Sequence, residues 1–220
     1  MRIVVLASGR GSNLEALIDA QREARLPITL VGVFSDKADA RALDIARADG
    51  IAAVHVDPRA FGSRREFDEA LFAAIAAAKP DLVVLAGFMR ILDPAAFKPW
   101  LGRIINIHPS LLPKYPGLHT HRRALEAGDR LHGASVHFVT AELDGGPVLG
   151  QVRIEIRPDD TPQSLAERLL PQEHRLLVAC VALLAGNRLR WAAKGVHLDG
   201  APLDRPLQLD EDGELVVDAR

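Results

Sequence analysis

The sequence predicts an α/β fold built on an open, doubly wound, mostly parallel β-sheet, with late strands and a long C-terminal helix. Short, continuous apolar runs alternate with helix-length segments through the first two thirds of the chain. Apolar strands that are continuous rather than alternating indicate a parallel sheet covered on both faces. Right-handed crossovers between such strands give an open, doubly wound sheet. Two later apolar runs and one long amphipathic segment follow.

The individual elements follow this alternation in order. We predict strands over residues 3–7, 28–34, 53–56, 81–85 and 104–107, with helices over residues 14–21, 38–49 and 64–78. The late strands are predicted over residues 132–139 and 148–156, and the long helix over residues 162–184. Three prolines make residues 109–117 a loop of fixed shape. We expect a single domain over residues 1–198 and a peripheral tail, rich in Pro, Asp and Gly, over residues 199–220.

Composition excludes several classes of protein. A chain of 220 residues, 48% hydrophobic and 25% charged, can bury a core without a disulfide or a structural metal. Its formal net charge of -2, without a long basic run, argues against nucleic acid as a partner. The first apolar run is too short for a signal peptide, and no run approaches a membrane span, so we expect a cytoplasmic protein without a membrane partner. The single cysteine, Cys180, lies in an apolar run and is predicted to be a buried, inert thiol.

A glycine-containing turn at residues 8–13 joins the first predicted strand to the first helix. Glycines let backbone N–H groups approach an anion, and the start of the helix adds partial positive charge. Leu14 stands where the dinucleotide fingerprint has its third glycine, and no Walker lysine is present, so the turn suits one phosphate better than a pyrophosphate. The same residues would also form a tight turn with Ser12 or Asn13 as the helix cap, and both interpretations stay open.

Asn106 and His108 close a predicted strand, where alternation places both side chains on one face. An Asn amide can donate to a carbonyl oxygen as it becomes an oxyanion, and His can act as an acid or an electrostatic partner near neutral pH. Alternatively, both are polar groups satisfied at a strand end.

Asp144 lies in the turn LDGGP. Close to His108 its carboxylate would favour the imidazolium, although capping a glycine-rich turn is the more common role of such an Asp.

Three unusual loops follow predicted strands, at residues 8–13, 87–92 and 106–117. Ligands of open α/β sheets bind outside the carboxyl ends of the strands, so we expect these loops to converge.

His119 and His121 raise the question of a metal, but no spacing completes a zinc pattern. We therefore expect no metal and prefer hydrogen-bonding or packing roles. Ser135 and His137 share a face of their predicted strand and could also line a site.

Five segments, in order along nearly the whole chain apart from the acidic tail, carry a resemblance to a known family: GRGSN at 9–13, FSDKADA at 34–40, VVLAGFMRIL at 83–92, NIHPSLLPKYPGLHTHR at 106–122 and HGASVHFVTAELDGGPV at 132–148. They resemble the glycinamide ribonucleotide formyltransferases of purine biosynthesis, and NIHPSLLP with LDGGP is specific for folate-dependent formyl transfer. The resemblance implies a Rossmann-like formyltransferase fold. It also implies transfer of a formyl group from 10-formyltetrahydrofolate to the amine of glycinamide ribonucleotide, which yields N-formylglycinamide ribonucleotide and tetrahydrofolate.

The resemblance also implies roles for particular residues. The catalytic residues are Asn106, His108 and Asp144. The ribonucleotide contacts are Gly11, Ser12 and Asn13 at the phosphate and Glu173 at the ribose. The folate contacts are Arg64, Met89, Arg90, Ile91, Leu92, Asn106, Thr140, Ala141, Glu142, Leu143 and Asp144. Relatives have a cis peptide bond at the position of Leu112-Pro113. The chain departs from the family at Ala141, where an acidic or bulkier residue is usual, which puts a side-chain role there in doubt.

Four other functions remain to be weighed. Methionyl-tRNA formyltransferases share the core motif but carry an added RNA-contacting domain, whereas this tail is short and acidic. Formyltetrahydrofolate deformylases carry an extra N-terminal domain, whereas we expect this chain to start on its first strand. A nicotinamide dehydrogenase would explain Asp36 after the second strand but lacks the third glycine. A non-catalytic nucleotide-binding module gives no reason for the catalytic residues to occur together. We expect small-molecule substrates and a monomer or weak homodimer.

Overall fold

A computed structural model describes residues 1–192 and 195–217 of the chain. Its internal contacts divide the chain into two compact units, Met1–Asn106 and Ile107–Arg220. The expected division into a domain over residues 1–198 and a peripheral tail stays a prediction.

The first unit is a parallel α/β unit. Its strands are β1 (Arg2–Leu6), β2 (Thr29–Ser35), β3 (Ala53–His55), β4 (Leu82–Leu85) and the start of β5 (Ile104–His108). They lie in the order β3-β2-β1-β4-β5, and each neighbouring pair is parallel. The helices are α1 (Ser12–Arg22), α2 (Arg41–Ala48), α3 (Arg64–Ala77) and the short α4 (Pro94–Phe97), with 3₁₀ turns at Pro58–Ala60 and Lys98–Trp100. The five predicted strands and three predicted helices are confirmed, with ends shifted by at most three residues.

The burial of β1 in the first unit explains why its continuous apolar run predicted a parallel sheet. Ile3, Val4, Val5 and Leu6 of β1 are all fully buried, although successive side chains point to opposite faces. A strand buried on both faces needs a continuous apolar run, which is the pattern typical of a covered parallel sheet. The mostly parallel α/β fold predicted from the sequence is thus confirmed.

The second unit pairs late strands with a long helix. The strands β6 (Leu131–Phe138) and β7 (Val148–Glu155) form an antiparallel pair. After α5 (Thr120–Glu126) and α6 (Pro162–Ala185), a small antiparallel sheet is built from β8 (Leu189–Ala192), β9 (Gly195–Leu198) and β10 (Ala201–Pro202). The strand β11 (Leu207–Leu209) pairs in parallel with β7, and β12 (Leu215–Val216) pairs with β11. Leu207 is fully buried, so the last segment contributes to the core of this unit.

The helix α6 has a well-defined start and a buried face. The Thr161 and Ser164 side chains form a reciprocal capping box, and Pro162 occupies the first turn, where its missing N–H is harmless. Cys180 on this helix is fully buried, and burial raises the pKa of its thiol far above the ordinary range. The prediction of a buried, inert thiol is confirmed. Within the described ranges, no helix combines the length and the apolarity needed to cross a membrane.

Candidate active site

The turn before α1 is restricted to glycine at one position. Gly11 has φ +79°, and a Cβ added there would lie 2.9 Å from the backbone of Ala42. α1 begins at the next residue, and its N-terminal end has no side-chain cap. Ser12 and Asn13 therefore do not cap the helix, in contrast to the alternative drawn from the sequence. The Oδ1 atom of Asn13 is buried and has no hydrogen-bond partner among the described residues.

Ser8 links two loops at the carboxyl ends of strands in the first unit. Its N–H donates to the Gly87 carbonyl at 3.0 Å. Its hydroxyl donates to Asp36 Oδ1 at 2.6 Å and accepts the Met89 N–H at 2.9 Å. Two of the three loops expected to converge, those after β1 and β4, therefore meet in this unit. Asp36, which had raised the possibility of a dinucleotide site, serves as the acceptor of Ser8.

The segment after β4 exposes apolar side chains beside positive charge. Met89 and Ile91 are 68% and 59% exposed, whereas Leu92 is buried. The Arg90 guanidinium lies 4.8 Å from the centre of the Phe67 ring. Exposed apolar side chains next to a cation suit a ligand that is both aromatic and anionic.

Asp68 fixes the C-terminal end of the segment that follows β4, through a hydrogen bond from Asp93. It is fully buried, and its Oδ2 accepts the Asp93 N–H at 2.7 Å. Burial raises the pKa of Asp68, against the Asp93 N–H and the nearby charges of Arg64 and Arg90. Arg64, the first residue of α3, is itself exposed and follows the helix cap Ser63. No pattern in the sequence marked Asp68, because a lone Asp within a helix normally faces solvent.

His108 is the buried centre of the site in the second unit. Its Nε2 lies 3.0 Å from the Tyr115 carbonyl oxygen, and a carbonyl only accepts, so Nε2 carries a proton. Its Nδ1 lies 3.6 Å from Oδ2 of Asp144. This separation is an ion-pair distance and is longer than a hydrogen bond. The proximity of Asp144 to His108, which the sequence left open, is thus present.

Asp144 lies between two imidazoles. Its Oδ2 accepts the Gly117 N–H at 2.7 Å, and its Oδ1 lies 3.7 Å from Nε2 of His137. Nδ1 of His137 lies 2.9 Å from the Phe138 carbonyl, and burial lowers the pKa of His137. Strand alternation indicated that His137 could line a site, and His137 does lie close to the Asp144 carboxylate.

The backbone of the LDGGP turn explains its composition. Asp144 has φ +51°, a conformation that Asp tolerates better than most residues. A Cβ at Gly146 would lie only 1.8 Å from the Phe138 carbonyl oxygen, so the position accepts glycine alone. The turn exposes Ala141, Glu142 and Leu143. These exposed residues leave Asp144 as the one largely buried side chain among the four.

Other predicted residues are placed as follows. Asn106 is half-buried and lies two residues before His108 on β5, so strand alternation puts both side chains on one face. Thr140 precedes the exposed part of the LDGGP turn, and its hydroxyl lies 3.4 Å from the Glu142 carbonyl. Glu173 is buried on α6. The peptide bond Leu112-Pro113 is cis, as the resemblance implied.

Two further histidines, His121 and His132, pair with one another. His121 Nδ1 lies 3.0 Å from His132 Nε2, and burial lowers the pKa of His132 to about 4. His119 precedes α5 with φ +61°. In the described part of the chain, no three His, Cys, Asp or Glu side chains are grouped closely enough to hold a metal ion.

The first unit is thus a parallel α/β unit, and the second holds a His–Asp site beside a glycine-rich turn. The chain belongs to the formyl transferase family, whose sequence profile matches residues 1–181. A phosphoribosylglycinamide formyltransferase of Escherichia coli is 50% identical over 203 residues, which are 92% of this chain and 96% of that protein.

Solved structures agree with the family. The phosphoribosylglycinamide formyltransferase of Coxiella burnetii, in complex with CHES, has a TM-score of 0.88 and 45% identity, covering 92% of this chain and 95% of that one. Glycinamide ribonucleotide transformylase 1 of Symbiobacterium toebii has a TM-score of 0.87 and 44% identity, covering 90% and 93%. The resemblance drawn from the sequence motifs, and the formyltransferase fold that it implied, are confirmed.

Proposed function

We propose that this chain transfers the formyl group of 10-formyltetrahydrofolate to the amine of glycinamide ribonucleotide. The products are N-formylglycinamide ribonucleotide and tetrahydrofolate. The observation that carries the proposal is the buried His108, which has one ring nitrogen committed to a carbonyl and the other 3.6 Å from Asp144. Membership of the formyl transferase family supports it, as does the name of the 50% identical relative.

The chemistry is direct acyl transfer without a covalent enzyme intermediate. The substrate amine forms a C–N bond to the formyl carbon, and the carbonyl oxygen becomes negatively charged. The bond from that carbon to N10 of the folate then breaks, and the proton lost by the attacking nitrogen is transferred to N10. The amide of Asn106 and a doubly protonated His108 stabilise the oxyanion, which is the role typical of fixed donors in acyl transfer.

The geometry of His108 supports Nδ1 as the ring nitrogen that donates a proton to the substrate. The Nε2 proton is committed to the Tyr115 carbonyl, so the proton on Nδ1 is the one directed to the reacting oxygen. With Nδ1 at 3.6 Å from Asp144 Oδ2, the proton on Nδ1 is near the carboxylate without being committed to it by a hydrogen bond. Asp144 therefore stabilises the positive charge on His108 and can also orient a water that carries the proton between the two nitrogens.

The ribonucleotide is held by its phosphate and ribose. Gly11, Ser12 and Asn13 provide backbone N–H groups at the start of α1, which has no side-chain cap, and the helix dipole favours an anion there. The buried Oδ1 of Asn13 needs a donor, which a hydroxyl or amine of the ligand would supply. Glu173 provides a carboxylate for the ribose hydroxyls.

The proposed folate contacts are residues of exposed segments. In the first unit, Met89 and Ile91 offer apolar contact and Arg64 and Arg90 offer charge to the glutamate carboxylates. The remaining contacts are Leu92, Asn106 and residues 140–144. Since Ala141 is exposed and has no side chain beyond Cβ, we expect that position to contribute through its backbone. The reaction needs no metal in this scheme.

We place the protein in the cytoplasm as a monomer or weak homodimer that acts on small molecules and not on nucleic acid.

The decisive assay mixes purified protein with 10-formyltetrahydrofolate, with and without glycinamide ribonucleotide, and follows the folate product by absorbance. Release that requires the ribonucleotide supports the proposal. Release without it indicates a deformylase, and absence of release returns the chain to a binding module or, if NAD is retained on purification, to a dehydrogenase.

A further inference from the structure

A short loop of the second unit, residues 114–117, contacts both members of the His108–Asp144 pair through its backbone. The Tyr115 carbonyl accepts from Nε2 of His108 at 3.0 Å. The Gly117 N–H donates to Oδ2 of Asp144 at 2.7 Å. The position of this loop therefore decides which ring nitrogen of His108 is committed and where the carboxylate of Asp144 lies.

The loop holds an unfavourable backbone conformation at the residue that touches His108. Tyr115 has φ +56°, which lies in the left-handed region. A residue with a Cβ is disfavoured there, and such a conformation persists only when surrounding contacts enforce it. The contacts that enforce it should therefore matter for His108, even if they are distant from it.

Several contacts hold this loop. The Ser110 hydroxyl donates to the Lys114 carbonyl at 2.6 Å, and Arg123 donates to the Pro116 carbonyl at 2.5 Å. The side chains of Lys114 and Tyr115 both meet Asp129. Its two carboxylate oxygens lie 2.9 and 3.0 Å from the ammonium of Lys114, and the Tyr115 hydroxyl donates to Oδ2 at 2.7 Å. Lys114 and then Tyr115 hold the pKa of Asp129 below its usual range, so the acceptor is charged at neutral pH. The guanidinium of Arg123 lies 5.2 Å from the centre of the Tyr115 ring, on the side chain that Asp129 anchors.

We propose that Asp129 is a positioning residue for formyl transfer, acting through Tyr115 on His108. The inference rests on the proposed function. With the Asp129 carboxylate in place, the Tyr115 carbonyl retains the Nε2 proton and leaves Nδ1 directed toward Asp144 and the reacting oxygen. Without it, the Tyr115 backbone relaxes and His108 loses its fixed proton arrangement. Preorganisation of this kind affects turnover rather than ground-state binding.

The first test compares Asp129→Ala, Tyr115→Phe and the double variant. We expect kcat to fall about tenfold in each single variant, the effect of losing roughly one charged hydrogen bond in the transition state. We expect KM for both substrates to change by less than about twofold. The double variant should be no slower than Asp129→Ala, because both changes break one interaction. Asp199→Asn is the matched control, since Asp199 forms an exposed pair with Arg188 at 2.8 Å in the same unit.

The second test needs no substrate. Ring ¹⁵N spectra of His108, assigned with His108→Ala, report which nitrogens carry protons. We expect both Asp129→Ala and Tyr115→Phe to shift the His108 signals, and Asp199→Asn to leave them unchanged. If wild-type protein transfers no formyl group, the proposed function fails, whereas this comparison still tests the positioning of His108.

Unchanged His108 signals in folded Tyr115→Phe would overturn the inference, whatever the loss of turnover. A rise in KM without a fall in kcat would also overturn it. Should Asp129→Ala fail to fold, as shown by its melting curve, Tyr115→Phe decides, because it keeps the ring in place beneath Arg123 and removes only the hydroxyl.

Discussion

The Nδ1 atom of His108 lies 3.6 Å from Oδ2 of Asp144, while the Gly117 N–H donates to the same carboxylate oxygen at 2.7 Å. The backbone donor fixes the carboxylate, and the carboxylate faces an imidazole whose other nitrogen is already committed to Tyr115. The pair is therefore held by contacts within the protein itself, and fixed donors and charges of this kind stabilise a transition state electrostatically.

Asn106→Ala and His108→Ala should each lower kcat by about 100-fold or more, because each removes a donor to the developing oxyanion. Binding of the folate donor should change much less than turnover. Steady-state kinetics with both substrates, together with direct binding of the donor, checks this. His55→Ala, on β3, is the control for loss of a histidine. A kcat within about threefold of wild type in either variant would remove that residue from the mechanism.

Gly11→Ala and Gly9→Ala should behave differently although they lie in one turn. At Gly11 an added Cβ meets the Ala42 backbone at 2.9 Å and φ is +79°. At Gly9 an added Cβ would meet no atom within 4 Å in the described part of the chain, apart from the adjoining residues. We expect Gly11→Ala to raise KM for the ribonucleotide about tenfold or more, and Gly9→Ala to change it less than about twofold. Competition by inorganic phosphate gives a second measure. Equal effects of the two substitutions would show that the shape of the turn does not govern binding.

Gly146→Ala should destabilise the turn that carries Asp144. Its Cβ would lie 1.8 Å from a backbone oxygen, whereas the three atoms nearest to a Cβ at Gly145 all belong to the side chain of the exposed Glu142, which can move aside. We expect Gly146→Ala to lower the free energy of unfolding by roughly 3 kcal/mol, and so Tm by about 6–12 °C. Gly145→Ala should cost less than about 1 kcal/mol. Thermal unfolding of both variants checks the difference, and the reverse order would contradict the close approach at Gly146.

Thermal stability should rise with pH between about 4 and 6.5. Burial lowers the pKa of His132 to about 4 and also lowers the pKa of His121 and His137. In this window these three histidines bind more protons in the unfolded chain, where they titrate near 6.5, than in the folded protein, so acidification favours unfolding. Asp68, whose pKa burial raises, acts in the opposite direction but is a single group. Above about pH 7.5, where the histidines of the unfolded chain are neutral, these groups contribute no pH dependence, and well below pH 4 His132 adds no further loss.

Melting curves across that pH range check the prediction. His132→Asn should flatten the slope, because the histidine whose pKa is lowered to about 4 is gone, and His55→Asn is the control for loss of a histidine. A melting temperature that stays constant from pH 6.5 to 4.5 in the wild type would contradict the argument.

Some elements of the fold and some residues near the site could not be predicted from the sequence, for physical reasons. α5 and the strands β8 to β12 were not predicted, because elements of two to seven residues depend on their tertiary partners more than on periodicity. Asp129 and Asp68 carried no motif. The role of each depends on a hydrogen bond from a distant residue. Tyr115, the partner of Asp129, is 14 residues away in the chain, and Asp93, the partner of Asp68, is 25 residues away.

The sequence by itself determined the parallel α/β elements, the glycine-restricted turns and the residues from which the site is built. It did so because strands buried on both faces require continuous apolar runs, and close backbone approach requires glycine. Only the tertiary structure decided that Asp144 reaches His108, that Tyr115 takes the Nε2 proton and that Asp129 anchors Tyr115. These contacts join residues through space at distances set by turns and packing, and a linear pattern of residue types does not encode such distances.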